Sequence, residues 1–127
     1  MVTDTSVYLG DAILGWIKST AFPSDPVNVY ASLWNGDPDG AGTEVTGTVN
    51  LTSQAITWGA IAARAMSNSA DVEFGTASGS ATVTYVVVQT DAVYATGEQV
   101  CKKAISSTSI TNGLAVKILT GNLTISY

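Results

Sequence analysis

The chain has 127 residues, ten acidic against five basic, with no histidine and one cysteine, giving a net charge of −5 and a pI near 4.2. That length suits one domain spanning 1–127, and the acidic balance excludes a domain whose work is to neutralise nucleic-acid phosphates. Without an imidazole, the Ser-His-Asp and Cys-His constellations and the common zinc sets are excluded, so no enzyme activity, metal or cofactor is expected.

The N-terminus lacks the basic and apolar regions of a signal peptide, so synthesis in a reducing cytoplasm is expected. From about residue 6 to 20, Leu9, Ile13, Trp16 and Ile17 recur at helical spacing with Tyr8 and Ala12 on the adjoining stripe. An amphipathic helix is predicted there, capped by Thr5 or Ser6 and ended by Pro23. Its expected place is on the domain's own core, docking onto a neighbouring subunit being the other reading. Gly10 and Gly15 each cost about 0.5–1 kcal/mol against Ala, so packing must hold this helix.

Everything after Pro26 reads as strand and turn. Val27 to Trp34 alternates, with Val27, Val29, Ala31 and Leu33 on one face and Asn28, Tyr30, Ser32 and Trp34 on the other. On this reading Tyr30 and Trp34 face outward as a contact patch. Asn35 to Gly47 follows as a loop: Asp37-Pro38 presets a turn, Asp39 bonds locally, and Gly40 takes the positive φ. Asp37, Asp39 and Glu44 have the chemistry to meet Ca²⁺, but turn formation explains both aspartates, and no metal is assigned.

Further strands are expected at Thr48 to Leu51, Ala55 to Trp58, Ala70 to Phe74, Thr82 to Gln89, Glu98 to Ile105, Leu114 to Leu119 and Asn122 to Tyr127. Gly59 to Ala65 reads as a helical turn or a loop. Arg64 lies there, an exposed loop arginine or the partner of a carboxylate across a subunit boundary. Val86 to Val88 is the longest apolar run and fits a buried strand; nothing approaches the ~20 residues of a bilayer span, so no membrane contact is expected. Asp71 and Glu73 alternate with Val72 and Phe74 and belong outside, which gives a carboxylate pair of the glycosidase kind no support. Cys101 reads as a small buried residue between Val100 and Lys102.

About eight short strands and one N-terminal helix make the fold mainly β, an antiparallel β-sandwich or jelly roll. Only 12% of residues are charged, against roughly 25% in an average soluble domain, so the surface has little protection against self-association. A homo-oligomer, trimer or dimer, is expected. The candidate interface residues are Tyr8, Trp16, Tyr30, Trp34, Thr43, Glu44, Val45 and Arg64. A carbohydrate-binding β-sandwich, with Tyr30, Trp34 and Trp58 stacking on sugar rings, is a separate reading from the same aromatic residues.

A family likeness rests on residues in a shared order. They are Asp37-Pro38 with Gly42-Thr43-Glu44-Val45 and Gly47; then Asn68, Val72 and Phe74; then Thr82-Val83-Thr84; and finally Gly121 with Leu123-Thr124-Ile125. In this order the chain resembles small tailed-phage virion proteins labelled tail-fibre-like, some of which decorate capsids. The resemblance implies a structural bacteriophage protein located in the virion after synthesis in the host cytoplasm. A capsid decoration or cement role is the first expectation, in contact with the major capsid protein or other virion subunits. A tail, tail-fibre or adaptor component is the alternative. Gly75 and Tyr85 depart from the pattern, in which a Pro follows the Phe and a His replaces the tyrosine.

Overall fold

The computed structural model describes residues 6–126. Thr5, the alternative helix cap, and Tyr127, the end of the last expected strand, lie outside the described residues. The order is α1 (Val7–Ile17), β1 (Tyr30–Asn35), β2 (Thr43–Glu44), a short 3₁₀ turn (Gly47–Val49), β3 (Gln54–Ala55), β4 (Ala65–Ser67), β5 (Val72–Thr76), β6 (Ala81–Gln89), β7 (Gln99–Ile110), β8 (Ala115–Ile118) and β9 (Thr124–Ser126). The fold is therefore mainly β, with all of its ladders antiparallel among the described residues, as the alternation predicts.

One layer is a five-stranded sheet in the order β2-β1-β6-β7, with β3 pairing the same edge of β1 as β2. The other strands form two-stranded ladders, β4-β9 and β5-β8. Ala31, Leu33, Val86, Val88 and Cys101 of the large sheet meet Val72, Phe74, Leu123 and Ile125 of the small ladders in one core. Such apolar burial supplies the main driving force of the fold. Val72 and Phe74 point inward while Glu73 between them is exposed, as expected for that strand.

Thr48 to Leu51 is not a strand. Val49 N–H donates to Val45 O and Leu51 N–H to Thr46 O, closing a helical turn that Asn50 ends at φ 56°. Val45 and Val49 are thus one helical turn apart, and both enter the core. Gly75 sits at φ +106° beside an irregularity in the β5-β8 register. Proline, locked near −65°, cannot adopt that conformation, which accounts physically for glycine at this departure from the pattern.

The two small ladders are tied to each other by polar groups as well. Asn68, 2% exposed, donates through Nδ2 to Ala70 O (2.8 Å) and Leu119 O (3.0 Å), and its Oδ1 accepts from Leu123 N–H (2.9 Å). Asp71 accepts from Thr120 N–H (2.8 Å), Thr120 Oγ1 (2.9 Å) and Lys117 Nζ (3.0 Å). The Lys117 ammonium foremost, then the Thr120 donors, lowers the Asp71 carboxyl from 3.8 to about 2. A depressed carboxyl stabilises the fold above its unfolded value and loses that contribution as pH falls through its folded one. Asp71→Asn should therefore melt below wild type at pH 5, with the gap closing between about pH 4 and pH 2. A gap that stays constant down to pH 2 would exclude this ionic contribution.

Candidate assembly surface

The loop between β1 and β2 is a closed, rigid turn. Gly40 N–H and Gly42 N–H both donate to Asp37 O, and Asp39 N–H donates to Asp37 Oδ1. Gly36, at φ +87°, takes the left-handed conformation expected of Gly40. Lys102 on β7 reaches across to Asp37 (2.5 Å) and Asp39 (2.8 Å). This hydrogen-bonded ion pair lowers the Asp37 carboxyl and raises the Lys102 ammonium. The two aspartates face an ammonium belonging to the same chain, which fastens the loop to the sheet.

Neither Trp34, outward by the alternation, nor Val45, a candidate contact of the loop, lies open to solvent; each is 6% exposed. Val45 belongs to the core. Trp34 does lie on the opposite face of β1 from Leu33, but that face is covered. Residues 90–98 fold back over it, closed by Thr90 N–H to Glu98 O, Glu98 N–H to Thr90 Oγ1 and Val93 N–H to Asp91 Oδ1. Tyr94 from this arch meets Trp34 edge-on, with ring centroids 4.7 Å apart. Beneath it, Trp34 Nε1 donates to Ser32 Oγ and Ser32 Oγ to Gln89 Oε1, while Gln89 Nε2 donates to Asp91 O. Every buried polar group in this ladder has a partner, as a dry interior requires.

The sugar-stacking platform expected of Tyr30, Trp34 and Trp58 is consequently not displayed. Trp34 lies under Tyr94, and Trp58 is packed partly against the core. Thr43 is exposed and Glu44 half-buried. Glu44 lines a cleft of about 600 Å³ between residues 44–53 and the 92–95 segment of the arch. Burial pushes its carboxyl up, opposed by hydrogen bonds from Thr46 and Ser53. Tyr94 is the other ionisable side chain lining the cleft, and its hydroxyl donates to Gln99 at 3.3 Å.

An exposed apolar surface is found on α1. Ser6 caps the helix through Oγ to Leu9 N–H, as predicted, but Ser19 at φ 69° terminates it before Pro23 is reached. The half-buried face, Tyr8, Leu9, Ala12 and Ile13, lies against edge strand β7, to which Ser6 N–H also donates at Val100 O. No residue of the helix is buried, so it does not lie on the core as expected; the two β layers already fill that core. Val7, Leu14 and Ile17 share the other face and are 81%, 65% and 66% exposed, with Trp16 64% exposed near the C-terminal end. Sequence periodicity put Trp16 and Ile17 on one stripe with Leu9 and Ile13, although both are exposed, and left out Val7 and Leu14. The signal was present: Asp11 is the single charge in VYLGDAILGWI. A helix apolar all round calls for cover on every side.

Arg64 sits at the tip of a two-residue hairpin in which Ala62 and Ala65 exchange both backbone hydrogen bonds. Of the two expectations for the segment, the loop holds rather than the helical turn: residues 59–61 have no regular structure and lead into this tight turn. Its central residues Ala63 and Arg64 hold φ 49° and 62°, a conformation usually taken by Asn-Gly, at about 1–2 kcal/mol per residue for other types. Arg64 flanks an apolar hollow of about 260 Å³ with Ile61, Met66 and Ile125. No carboxylate pairs with it among the described residues.

A weakly charged β-sandwich that displays an apolar helix is the design of an assembly subunit, a protein that works by contact with neighbours. Over residues 4–126 the chain matches the family described as Podophage GP4 fiber I protein gp80, and it belongs to that family. It is a structural bacteriophage protein of the virion, which bears out the resemblance carried by the Asp37 to Gly47 loop and the residues after it. No curated protein matches the chain, and no helix among the described residues is long and apolar enough to cross a membrane.

Proposed function

We propose that this chain is a non-catalytic subunit of the phage tail fibre, held in the particle by the outward face of α1. The observation that carries the reading is that helix. Its inner face rests on β7, while Val7, Leu14 and Ile17 remain in water on the outer one. Full burial of each would contribute about 1.5–3 kcal/mol, enough together to hold a subunit in place by mass action. Thr43 and Glu44 remain candidates for a secondary contact. The family description favours the fibre over the capsid-decoration role implied by the resemblance, and both would use the same physical mechanism.

Electron microscopy of particles carrying a labelled chain tests the location. Label confined to the tail supports the fibre reading; label over the capsid faces would replace it with decoration against the major capsid protein. The mechanism is tested by placing serine at Val7, Leu14 and Ile17 together. Since none of the three is buried, folding should persist while incorporation into particles falls by at least about tenfold. Normal incorporation of this variant would remove α1 from the assembly mechanism.

A further inference from the structure

We propose that the outward face of α1 docks on the hollow beside Arg64 of a second copy of this chain, pairing Asp11 with Arg64 across the junction. The inner face of α1 already lies against its own β7, which leaves the outer one open to another molecule. That face carries one charge, Asp11, among Val7, Gly10, Leu14 and Ile17. A Cβ at Gly10 would meet nothing within 4 Å, so the chain's own packing does not demand glycine there. A glycine in the middle of an apolar face instead lets a partner's backbone come close.

The opposite surface is complementary in kind and sign: an apolar hollow of about 260 Å³ bordered by one cation. Among the chain's five cations the choice is narrow. Lys102 and Lys117 are held by Asp37, Asp39 and Asp71, and Lys18 belongs to the end of α1 itself. Lys103 is exposed on β7, the strand that α1 already covers from its own chain. Arg64 is the cation set beside an open apolar hollow. Two consecutive non-glycine residues with positive φ hold it there, strain that persists where a side chain's position matters. Because face and hollow are different patches, the contact forms a reciprocal dimer, a closed ring or an open filament, according to the rotation between copies.

This deepens the assembly reading and can fail separately from it. Sedimentation equilibrium of the purified full chain should show self-association. Arg64→Glu and Asp11→Lys should each weaken it by at least about tenfold, and the two together should restore it to within about threefold of wild type. Ala63→Asn with Arg64→Gly supplies residues that adopt this turn readily; it should melt no lower than wild type and still lose association. A monomeric wild type, folded single variants that associate normally, or a double variant no better than the singles would each overturn the proposal. If the purified chain is monomeric while serine at Val7, Leu14 and Ile17 still abolishes particle incorporation, the partner is a different virion protein. The second-copy proposal then falls and the assembly reading stands.

Discussion

Replacing Asn68 with alanine is expected to destabilise the chain by about 3 kcal/mol and to lower its melting temperature by about 10 °C. The amide joins three places in the fold at once: Ala70 before β5, Leu119 after β8 and Leu123 before β9. Its removal leaves two carbonyls and one N–H without their partner in a position only 2% exposed. Each orphaned group costs roughly 1–3 kcal/mol when water cannot replace the bond, so the effect is a large part of an ordinary domain's 5–15 kcal/mol. Asn68→Asp should be no better near neutral pH, because a carboxylate would face the two carbonyls that the amide now serves. Thr124→Ala is the control: it removes an exposed hydroxyl contact with Ser67 and should change stability by at most about 0.5 kcal/mol. Equal melting curves for Asn68→Ala and Thr124→Ala would show that the amide does not bind the two ladders together.

Asn68 also illustrates what the amino-acid order reveals and what it hides. Its place ahead of Val72 and Phe74 is part of the phage-family pattern, yet its three side-chain bonds reach residues up to 55 positions away, beyond any local signal. The elements governed by local chemistry were legible: the Ser6 cap, the alternation of Val72, Glu73 and Phe74, and the buried run of Val86 to Val88. Misreadings arose where one period mimicked another or where a distant segment covered a face. Val49 and Leu51 suggest a strand if read two apart, but Val45 and Val49, four apart, set the conformation. Alternation placed Trp34 opposite Leu33 correctly and could not show Tyr94 arriving from the later arch. An indole N–H near Ser32, with a tyrosine in a Thr- and Asp-closed arch, is the trace such burial leaves.

The assembly surface was legible in a similarly divided way. Trp16 and Arg64, expected as contact residues, are exposed, whereas Ile17 is expected on the stripe with Leu9 and Ile13 and Val7 and Leu14 on neither stripe. The stripe Leu9, Ile13, Trp16 and Ile17, with Tyr8 and Ala12 beside it, satisfies the expectation of an amphipathic helix, and such a helix needs no second apolar face. Only the fold, by setting α1 against an edge strand with its far side open, separates the two faces.

Gly42→Ala is expected to destabilise the chain by about 2–3 kcal/mol, whereas Gly40→Ala should stay within about 0.5 kcal/mol of wild type. A Cβ at Gly42 would stand 2.4 Å from Asp37 O and 2.6 Å from Gly36 O, both backbone atoms that no rotamer change can move. At Gly40 the nearest atom to such a Cβ is 3.7 Å away, an ordinary contact. The difference arises because the chain doubles back at Asp37, whose carbonyl accepts from Gly40 N–H and Gly42 N–H together. Opening the turn would also draw Asp37 and Asp39 away from Lys102, so the loop's anchorage to β7 would weaken with it. Paired melting curves decide the matter, and doubling the Gly42→Ala substitution with Lys102→Ala makes the coupling measurable. If the turn and the ion pair act as one unit, the double variant should lose less than the sum of the two single losses. Additive losses would mean that the loop keeps its place on the sheet without the turn, and its rigidity would have to come from β2 pairing with β1 alone.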